Sequence, residues 1–327
     1  PDEVHDNPLN INIPKEAQTK VNAQKVEPAR RKTHKNHKSR VNNQENNFKG
    51  LPVQEKKILR QQIVDAPRIK NNCDHQRKIC VRHKIYNEKA EILVISKTYE
   101  TRTVHLQAWL NNAKADFELD HKNIVVKPSE EKRVGMLYKK RENEPFTYSI
   151  NFNSSFGHFD AVHDNSYVYT LPFNPGESYK MIQGFGGKFS HKSKSNYYAY
   201  DFKMPVGTPI LAAREGTVVK VVEKHGRGGI NRSFNGQDNY IYIEHADGTI
   251  GVYSHLVRGG AIVRTGDKVQ VSQQIGYSGD SGYSNTPHLH FAVIKYIAGG
   301  RVRSIPIRVQ TSEGIKSRLR EMRYYMR

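Results

Sequence analysis

The sequence lacks long hydrophobic runs. A membrane-spanning helix needs about 18 or more apolar residues in a row, and nothing in the 327 residues approaches that length; the best short stretch is Ala90–Ile95. A transmembrane helix is therefore excluded within this sequence. Apolar residues make up only 36% of the chain and its mean hydropathy is −0.75. Such values are low for a chain folded along its whole length, so we expect a sizeable part to lie outside any core.

Cysteine is nearly absent, and the two that occur, Cys73 and Cys80, lie close together. An even, close pair favours one disulfide in an exported protein. Closing a loop of about eight residues would stabilise the fold by roughly 2.5 kcal/mol. Two alternatives remain open: reduced thiols at a strand edge, or a zinc site that also uses His75 or His83, although the spacing does not match a zinc knuckle.

Aromatic residues are almost missing from residues 1–72, where only Phe48 occurs, while 15 Lys and Arg stand against 8 Asp and Glu. Such a segment cannot bury enough apolar surface to offset its conformational entropy, which predicts a disordered basic leader. Its charge serves either solubility or the binding of an anionic polymer. The whole chain carries a net charge of +20, which suits nucleic acid, an anionic membrane surface or an anionic cell-wall polymer. No recognised nucleic-acid-binding motif occurs, so we expect no specific nucleic-acid partner.

The rest of the chain indicates a mainly β protein. Residues 73–172 hold short β-rich runs at intervals near ten, which predicts a small antiparallel β-sandwich as an accessory domain. Residues 173–309 hold many short strands joined by glycine turns. Residues 310–327 are basic and place apolar residues at helical spacing, which predicts a terminal tail or helix; these residues are Ile315, Leu319 and Met322.

Three short segments carry candidate site residues. In the first, His288 and His290 flank Leu289; in a strand both imidazoles would point to one face, and two aligned imidazoles suit zinc. In the second, Asp201 is a lone acid within an aromatic, strand-like run, where a carboxylate needs a cation or hydrogen-bond donors. In the third, His255 lies inside an apolar strand pattern. Each signal is weak alone, since the chain has 15 histidines.

The ordered set of motifs from about Gln183 to Phe291 resembles the catalytic domain of the M23 metallopeptidases, the LytM and lysostaphin-like family. The motifs that carry the resemblance are Phe189-Ser190-His191, Ala199-Tyr200-Asp201-Phe202, Pro205-Val206-Gly207-Thr208-Pro209-Ile210, Ala212-Ala213-Arg214-Glu215-Gly216-Thr217-Val218, Ile243-Glu244-His245-Ala246-Asp247-Gly248, Tyr253-Ser254-His255-Leu256, Gly266-Asp267-Lys268-Val269, Gln274-Ile275-Gly276-Tyr277-Ser278-Gly279 and Pro287-His288-Leu289-His290-Phe291. They cover roughly a third of the chain.

The resemblance implies a LytM-type antiparallel β-sheet, like that of duplicated hybrid motifs, with one Zn²⁺ per chain. It implies that His191, Asp201 and His290 are the metal ligands. His255 and His288 would line the site as the catalytic residues, one taking a proton and the other stabilising charge, and which of them does which stays open. Three protein ligands leave a coordination position open, as hydrolytic zinc requires.

One spacing departs from the family pattern, which usually shows His-x-x-x-Asp. Tyr197 stands four residues before Asp201, and His191 precedes it by ten. A widened hairpin turn would accommodate this spacing, so we expect His191 to be the ligand and keep His225 as the alternative. His245 is expected to be structural. The loop 225–239 is either a wall of the substrate groove or a disordered surface loop.

The resemblance implies a zinc-dependent endopeptidase that hydrolyses peptide cross-links or stem peptides of bacterial peptidoglycan by a metal-activated water. The alternative is a catalytically silent relative that binds cell wall or activates a partner hydrolase. Biotinyl-lipoyl and sugar-phosphotransfer domains also use glycine-punctuated hairpins, but they lack an equivalent of Asp201. The substrate implies a periplasmic or secreted location in the cell envelope, where the basic leader would bind anionic envelope polymers.

Overall fold

The computed structural model describes residues 52–55, 66–118 and 123–327. Most of the predicted basic leader lies outside these residues. Within them, no helix is both long enough and apolar enough to cross a bilayer. They divide into two compact units. The N-terminal unit comprises residues 52–55, 66–98, 104–118 and 123–154, and the C-terminal unit comprises residues 99–103 and 155–327.

Eight strands lie in the first part of the described chain. They are β1 (Arg68–Cys73), β2 (Ile79–Ile85), β3 (Lys89–Ser96), β4 (Arg102–Asn111), β5 (Ala113–Ala115), β6 (Ile124–Val126), β7 (Glu131–Lys139) and β8 (Thr147–Phe156). One sheet has the order β1-β2-β3-β7-β5 and the other β6-β4-β8. Side chains from both sheets form one apolar core, because alternate residues of each strand point inward; Ile92, Leu106 and Ile150 are examples.

The first strand corrects the predicted end of the leader at residue 72. Residues 68–73 form β1, which pairs with β2 along its whole length. Its residues are mostly polar, so the strand is held by backbone hydrogen bonds to β2 rather than by apolar burial. Cys73 and Cys80 are direct cross-strand partners and form the favoured disulfide. Neither cysteine is therefore available to a metal.

The remaining strands belong to the C-terminal unit. They are β9 (Val168–Thr170), β10 (Ser178–Gln183), β11 (Tyr200–Lys203), β12 (Pro209–Leu211), β13 (Gly216–Val222), β14 (Gly228–Gly229), β15 (Tyr240–Glu244), β16 (Ile250–Ser254), β17 (Leu256–Ala261), β18 (Lys268–Val269), β19 (Gln274–Ser278), β20 (Gly282–Tyr283), β21 (His288–Ile297), β22 (Arg301–Ser304), β23 (Arg308–Thr311), β24 (Gly314–Lys316) and β25 (Tyr324–Met326). Short 3₁₀ turns lie at Arg232–Phe234 and Ala298–Gly300. The mainly β prediction is thus confirmed.

A nine-stranded sheet dominates this unit, in the order β18-β13-β15-β16-β21-β11-β10-β25, with β22 also paired to β21. Its strands alternate between two apolar clusters. Leu289, Phe291 and Val293 of β21 enter one cluster, and Ala292 and Ile294 enter the other. Because successive side chains of a strand point to opposite faces, His288 and His290 lie on the same face as the second cluster, beyond its end. The face opposite Leu289 is therefore where the site forms.

The C-terminal residues 310–327 are neither a tail nor a helix, which corrects that prediction. They contribute to β23, β24 and β25, and β25 extends the large sheet beside β10. The apolar residues at helical spacing do not share a buried face. Leu319 is buried, whereas Ile315 is 48% exposed and Met322 is 62% exposed. The domain boundaries at 172 and 309 stay predictions; residues 155–172 lie in the same compact unit as the large sheet.

Candidate metal centre

Two neighbouring strands of the large sheet supply the centre of the site. Asp201 on β11 and His290 on β21 are direct cross-strand partners. Their side chains meet, with His290 Nδ1 2.9 Å from Asp201 Oδ1. On its other side His290 is paired with Ser254 of β16. Because the alternation that buries Tyr200 and Phe202 turns Asp201 to the opposite face, the lone acid of the aromatic run points at the histidine.

His191 reaches the same point from the connection between β10 and β11. Its Nδ1 donates to the carbonyl oxygen of Gly184 at 2.8 Å. In the neutral ring that hydrogen bond leaves Nε2 unprotonated, and Nε2 lies 3.2 Å from Asp201 Oδ1 and 3.4 Å from His290 Nδ1. The three ligand atoms all lie within 4.8 Å of one another. The structure thus brings the three predicted ligands together despite the ten-residue spacing.

Gln183, at the end of β10, ties the connection to the carboxylate. Its Nε2 donates to Asp201 Oδ2 at 2.8 Å and to Ser190 Oγ at 2.7 Å. Its Oε1 accepts from the backbone N–H groups of Phe189 and Ser190. The amide therefore fixes both the Asp201 carboxylate and the segment that carries His191. Sequence reasoning missed this role; the only signal was that Gln183 stands at the start of the range that carries the matched motifs.

The electrostatics of the cluster keep one negative charge among imidazoles. Burial raises the pKa of the Asp201 carboxyl, but the charge of His191 and the hydrogen bonds from His191 and His290 outweigh burial and hold that pKa well below its usual range. Burial lowers the pKa of His191, and the Asp201 carboxylate reverses this and raises it. Burial lowers the pKa of His290 despite the same carboxylate. An ionised carboxylate and a neutral imidazole are the forms that bind metals.

His255 and His288 form a second imidazole pair beside this cluster. Their ring centroids lie 4.5 Å apart. His255 Nδ1 donates to the carbonyl oxygen of Ser281 at 2.7 Å, and His288 Nδ1 donates to that of Thr286 at 2.7 Å. Both rings therefore leave Nε2 free, and His288 Nε2 is 3.9 Å from Asp201 Oδ1. Burial and the neighbouring His288 lower the pKa of His255.

His255 occupies a backbone position that non-glycine residues seldom adopt. Its φ is +64°, at the junction between β16 and β17. A left-handed residue with a Cβ costs roughly 1–2 kcal/mol, and such strain persists where the surrounding structure requires it. Here Asn239 secures the junction, because its buried side-chain amide donates to the carbonyl oxygens of Leu256 and His225. The bend turns the His255 ring out of the strand and towards His288.

An open cavity of about 270 Å³ lies over these groups and is lined by Asp201, His255, His288 and His290. His191 is fully buried. Aromatic rings form parts of the wall. Phe189 and Tyr283 stack with centroids 5.5 Å apart and planes 12° apart, and Tyr240 and Tyr242 pack against each other with centroids 4.6 Å apart. The cavity is therefore a cleft with polar groups at its base and aromatic sides.

The loop 225–239 contributes to this cleft at its end. Gly236 and Asp238 line the cavity. Within the loop, β14 pairs with β20 in parallel, Gly228 opposite Gly282. A Cβ at Gly228 would lie 1.9 Å from the carbonyl oxygen of Asp280, so only glycine permits this approach. The loop therefore contributes two residues to the lining of the cleft, and its role as a wall of a substrate groove stays a prediction.

Two further histidines that the sequence singled out lie outside the cluster. His225, the alternative ligand, is in the loop and is not part of the cluster of three ligand atoms. His245 is buried beside the Glu215 backbone, where its Nδ1 donates to the carbonyl oxygen at 2.8 Å. Burial lowers the pKa of His245 to about 4. A neutral, buried, hydrogen-bonded imidazole is consistent with the structural role expected for His245.

Sequence comparison identifies the region around this cluster. The sequence model described as peptidase family M23 matches residues 195–303. This part of the chain is thus similar to peptidase family M23. The matched range contains Asp201, His255, His288 and His290 and begins four residues after His191. The M23 match covers about a third of the chain, in agreement with the resemblance read from the motifs.

Individual M23 relatives match the chain over part of their length. The peptidoglycan DD-endopeptidase ShyC of Vibrio cholerae serotype O1 is 29% identical over 178 residues, which are 54% of this chain and 38% of ShyC. The glycyl-glycine endopeptidase ALE-1 of Staphylococcus capitis is 36% identical over 115 residues, which are 35% of this chain and 29% of ALE-1. The chain thus spans less than half the length of these two relatives.

A solved structure is also similar. The catalytic domain of the antimicrobial peptidase lysostaphin from Staphylococcus simulans is 28% identical and has a TM-score of 0.28. The similarity covers 39% of this chain and 87% of that domain.

Proposed function

We propose that the protein is a zinc-dependent endopeptidase that hydrolyses peptide cross-links or stem peptides of bacterial peptidoglycan. One observation carries the proposal: His191, Asp201 and His290 place three ligand atoms within 4.8 Å of one another at the base of an open cleft. The names of the curated M23 relatives, a peptidoglycan DD-endopeptidase and a glycyl-glycine endopeptidase, support the class of substrate.

The residues present fit a zinc ion. Two imidazole nitrogens and one carboxylate are ligands that zinc accepts, and three protein ligands are typical of catalytic zinc. The hydrogen bond from His191 Nδ1 to Gly184 orients that ring with Nε2 towards Asp201 and His290, as outer partners of metal ligands do. When bound, zinc would polarise the scissile carbonyl and lower the pKa of water at the site.

The pair His255 and His288 supplies the proton chemistry in this proposal. Each ring donates Nδ1–H to a backbone carbonyl and keeps Nε2 unprotonated in its neutral form. Such a nitrogen accepts a proton during attack on the carbonyl and returns it to the leaving amine. The second imidazole, when protonated, donates to the oxygen on which negative charge develops. Because the two rings have the same tautomer and similar anchoring, we assign these two roles to the pair.

Several wider statements are parts of the same proposal. The proposed substrate, peptidoglycan, is part of the bacterial cell envelope. We therefore propose that the protein acts there, as a periplasmic or secreted protein. The net charge of +20 suits an anionic polymer, and we retain the proposal that the basic leader contributes to binding of anionic envelope polymers. A leader deletion that leaves the salt dependence of cell-wall binding unchanged would exclude that contribution.

The test of the function is digestion of purified peptidoglycan by the zinc-loaded protein, with mass spectrometry of the released fragments. Walls with glycine bridges and walls with direct D-amino-acid cross-links are both needed, because the names of the relatives divide between these bonds. New peptide termini with the wild type and none with His290→Ala would support the endopeptidase and identify its bond. No cleavage of either wall by a zinc-loaded protein would favour the silent wall-binding alternative.

A further inference from the structure

The C-terminal residues 318–326, called here the C-terminal strap, contact the connection that carries His191. They follow residue 309, the predicted end of the peptidase domain. Strand β25 forms the last part of the strap and pairs with the edge of β10 opposite β11. The strap therefore lies beside the strand from which the chain continues to Gly184 and His191.

Two backbone hydrogen bonds extend this pairing along β10. Met181 N–H donates to the carbonyl oxygen of Arg323, and Met322 N–H donates to that of Met181, both at 2.8 Å. Met322 is held there at a φ of +65°, a left-handed conformation that non-glycine residues seldom adopt. Such strain persists where the surrounding structure requires it. Here it accompanies the position from which the side chain of the preceding residue, Glu321, reaches Gly184.

Glu321 accepts a hydrogen bond from a buried backbone group next to the metal centre. The Gly184 N–H donates to Glu321 Oε1 at 3.0 Å. Gly184 is buried, and a buried N–H without an acceptor costs free energy. The carbonyl oxygen of Gly184 accepts from His191 Nδ1 at 2.8 Å and from the Gly187 N–H at 3.1 Å. The strap thus holds Gly184 at its N–H, while the carbonyl of Gly184 holds the ligand ring.

A second contact joins the strap to the neighbour of Asp201. Leu319 N–H donates to Tyr200 Oη at 3.3 Å in a buried position. Tyr200 precedes Asp201 on β11 and stacks on Phe185, with ring centroids 4.8 Å apart. The guanidinium carbon of Arg318 lies 6.0 Å from the centroid of the same Phe185 ring. The strap therefore contacts the chain beside two of the three proposed ligands.

We propose that the C-terminal strap is part of the metal centre and that Glu321 is a positioning residue for His191, acting through Gly184. The identity of the metal as zinc rests on the proposed function. Outer partners that orient a ligating imidazole raise metal affinity. Because glycine has the greatest backbone freedom, Gly184 needs partners on both sides to keep its carbonyl directed at His191. Glu321 supplies the partner at the N–H.

Zinc affinity tests the proposal without peptidoglycan, by competition of the full chain with a fluorescent chelator. Glu321 is exposed, so its truncation leaves no cavity, and urea unfolding checks that the variants fold. Glu321→Ala should weaken zinc binding about tenfold, the low end of the range for outer partners. Glu321→Gln should restore most of the affinity, because its amide oxygen still accepts from the Gly184 N–H. Glu313→Ala, at another exposed carboxylate near the C-terminus, should bind zinc like the wild type.

The Nδ1 proton of His191 gives a second measurement, its exchange with solvent in NMR spectra of the zinc-loaded full chain. We expect faster exchange in Glu321→Ala than in the wild type, because the Gly184 carbonyl is less firmly held. The Nδ1 protons of His255 and His288 also donate to backbone carbonyls and serve as internal controls, with wild-type rates. Equal acceleration of all three protons would overturn the proposal, since it would indicate a general loosening of the fold.

Unchanged zinc affinity of Glu321→Ala would also overturn the proposal. So would an equal loss of affinity in Glu321→Gln, which would assign the effect to the charge of Glu321 rather than to its hydrogen bond. A protein that shows the expected differences in zinc affinity but cuts no peptidoglycan would support the role of the strap and contradict the proposed function.

Discussion

Asp201 and His290 are direct partners across the ladder between β11 and β21, and their side chains meet with 2.9 Å between Oδ1 and Nδ1. The sheet itself therefore sets the distance between two of the three proposed metal ligands. His191 completes the set from the connection between β10 and β11, where its ring is held by Gly184. Two ligands on a rigid ladder and one on an anchored loop make a preorganised site.

Removing any one of the three ligands should abolish tight zinc binding. We expect His191→Ala, Asp201→Asn and His290→Ala each to lower zinc affinity by at least about 100-fold, since loss of an outer partner alone typically costs 10–100-fold. Zinc content is measured by elemental analysis after dialysis against a weak chelator. His225→Ala is the matched control, a histidine in the cleft loop, and should retain one zinc per chain. Loss of zinc from the control but not from the ligand variants would refute the assignment.

Gln183 should act on the metal through the groups it orients. Gln183→Ala frees the Asp201 carboxylate and the backbone of Phe189 and Ser190, so zinc affinity should fall about 10- to 100-fold. Gln270→Ala, at an exposed glutamine, is the control. Zinc competition assays with a fluorescent chelator give both values. Equal affinities for the two variants would mean that Gln183 has no positioning role.

His255 and His288 should contribute to catalysis but not to metal binding. Each lies beside the cluster but donates its Nδ1 proton to a backbone carbonyl rather than to a ligand. We expect His255→Ala and His288→Ala to keep zinc and to reduce kcat about 10²- to 10⁴-fold, the usual contribution of acid–base catalysis. The double variant should lose little more than the worse single variant, because the two rings act as a unit. A single variant with nearly full kcat would remove that residue from the mechanism.

Two buried histidines should make the fold acid-sensitive. Burial lowers the pKa of His245 to about 4, and burial together with Lys70 lowers that of His83 to about 4, both from 6.5. The unfolded chain therefore binds protons more readily than the folded chain. The contribution of these two neutral histidines to the free energy of unfolding is complete above about pH 6.5 and is lost as the pH falls from 6.5 towards 4. Each histidine contributes up to about 3 kcal/mol to this loss.

Urea unfolding at pH 7 and pH 5 measures this effect. The wild type should unfold at lower urea concentration at pH 5. His245→Gln should be less stable at pH 7 and show a smaller difference between the two pH values, whereas His75→Gln, at an exposed histidine, should keep the difference. The same difference in His245→Gln as in the wild type would contradict the assignment.

The sequence allowed the strand-borne parts of the site to be predicted. Alternation along His288-Leu289-His290 placed both imidazoles on one face, and the structure has Leu289 in the core opposite them. Asp201 stood out as a lone acid in a strand-like run, and its role as a ligand followed from the family resemblance. His191 followed only from the family resemblance, because a ten-residue connection has no periodicity that fixes where its side chains point.

Other features depend on tertiary contacts that local patterns do not encode. Strand β1 looked like part of a polar leader because its backbone pairing with β2, rather than apolar burial, holds it. Residues 310–327 have helical spacing, yet they form strands because β10 and β9 offer free edges for β25 and β23. The role of Gln183 needs four contacts from three parts of the chain, so no local motif indicates it.

Anomalous diffraction from crystals of the zinc-loaded protein, recorded on both sides of the zinc absorption edge, tests the central claim most directly. We predict one strong zinc peak in the C-terminal unit, bound by His191 Nε2, the Asp201 carboxylate and one ring nitrogen of His290, with His255 and His288 beside it but not bound. A peak bound by His225 or by the His255–His288 pair, or no peak at this cluster in zinc-saturated crystals, would contradict the account.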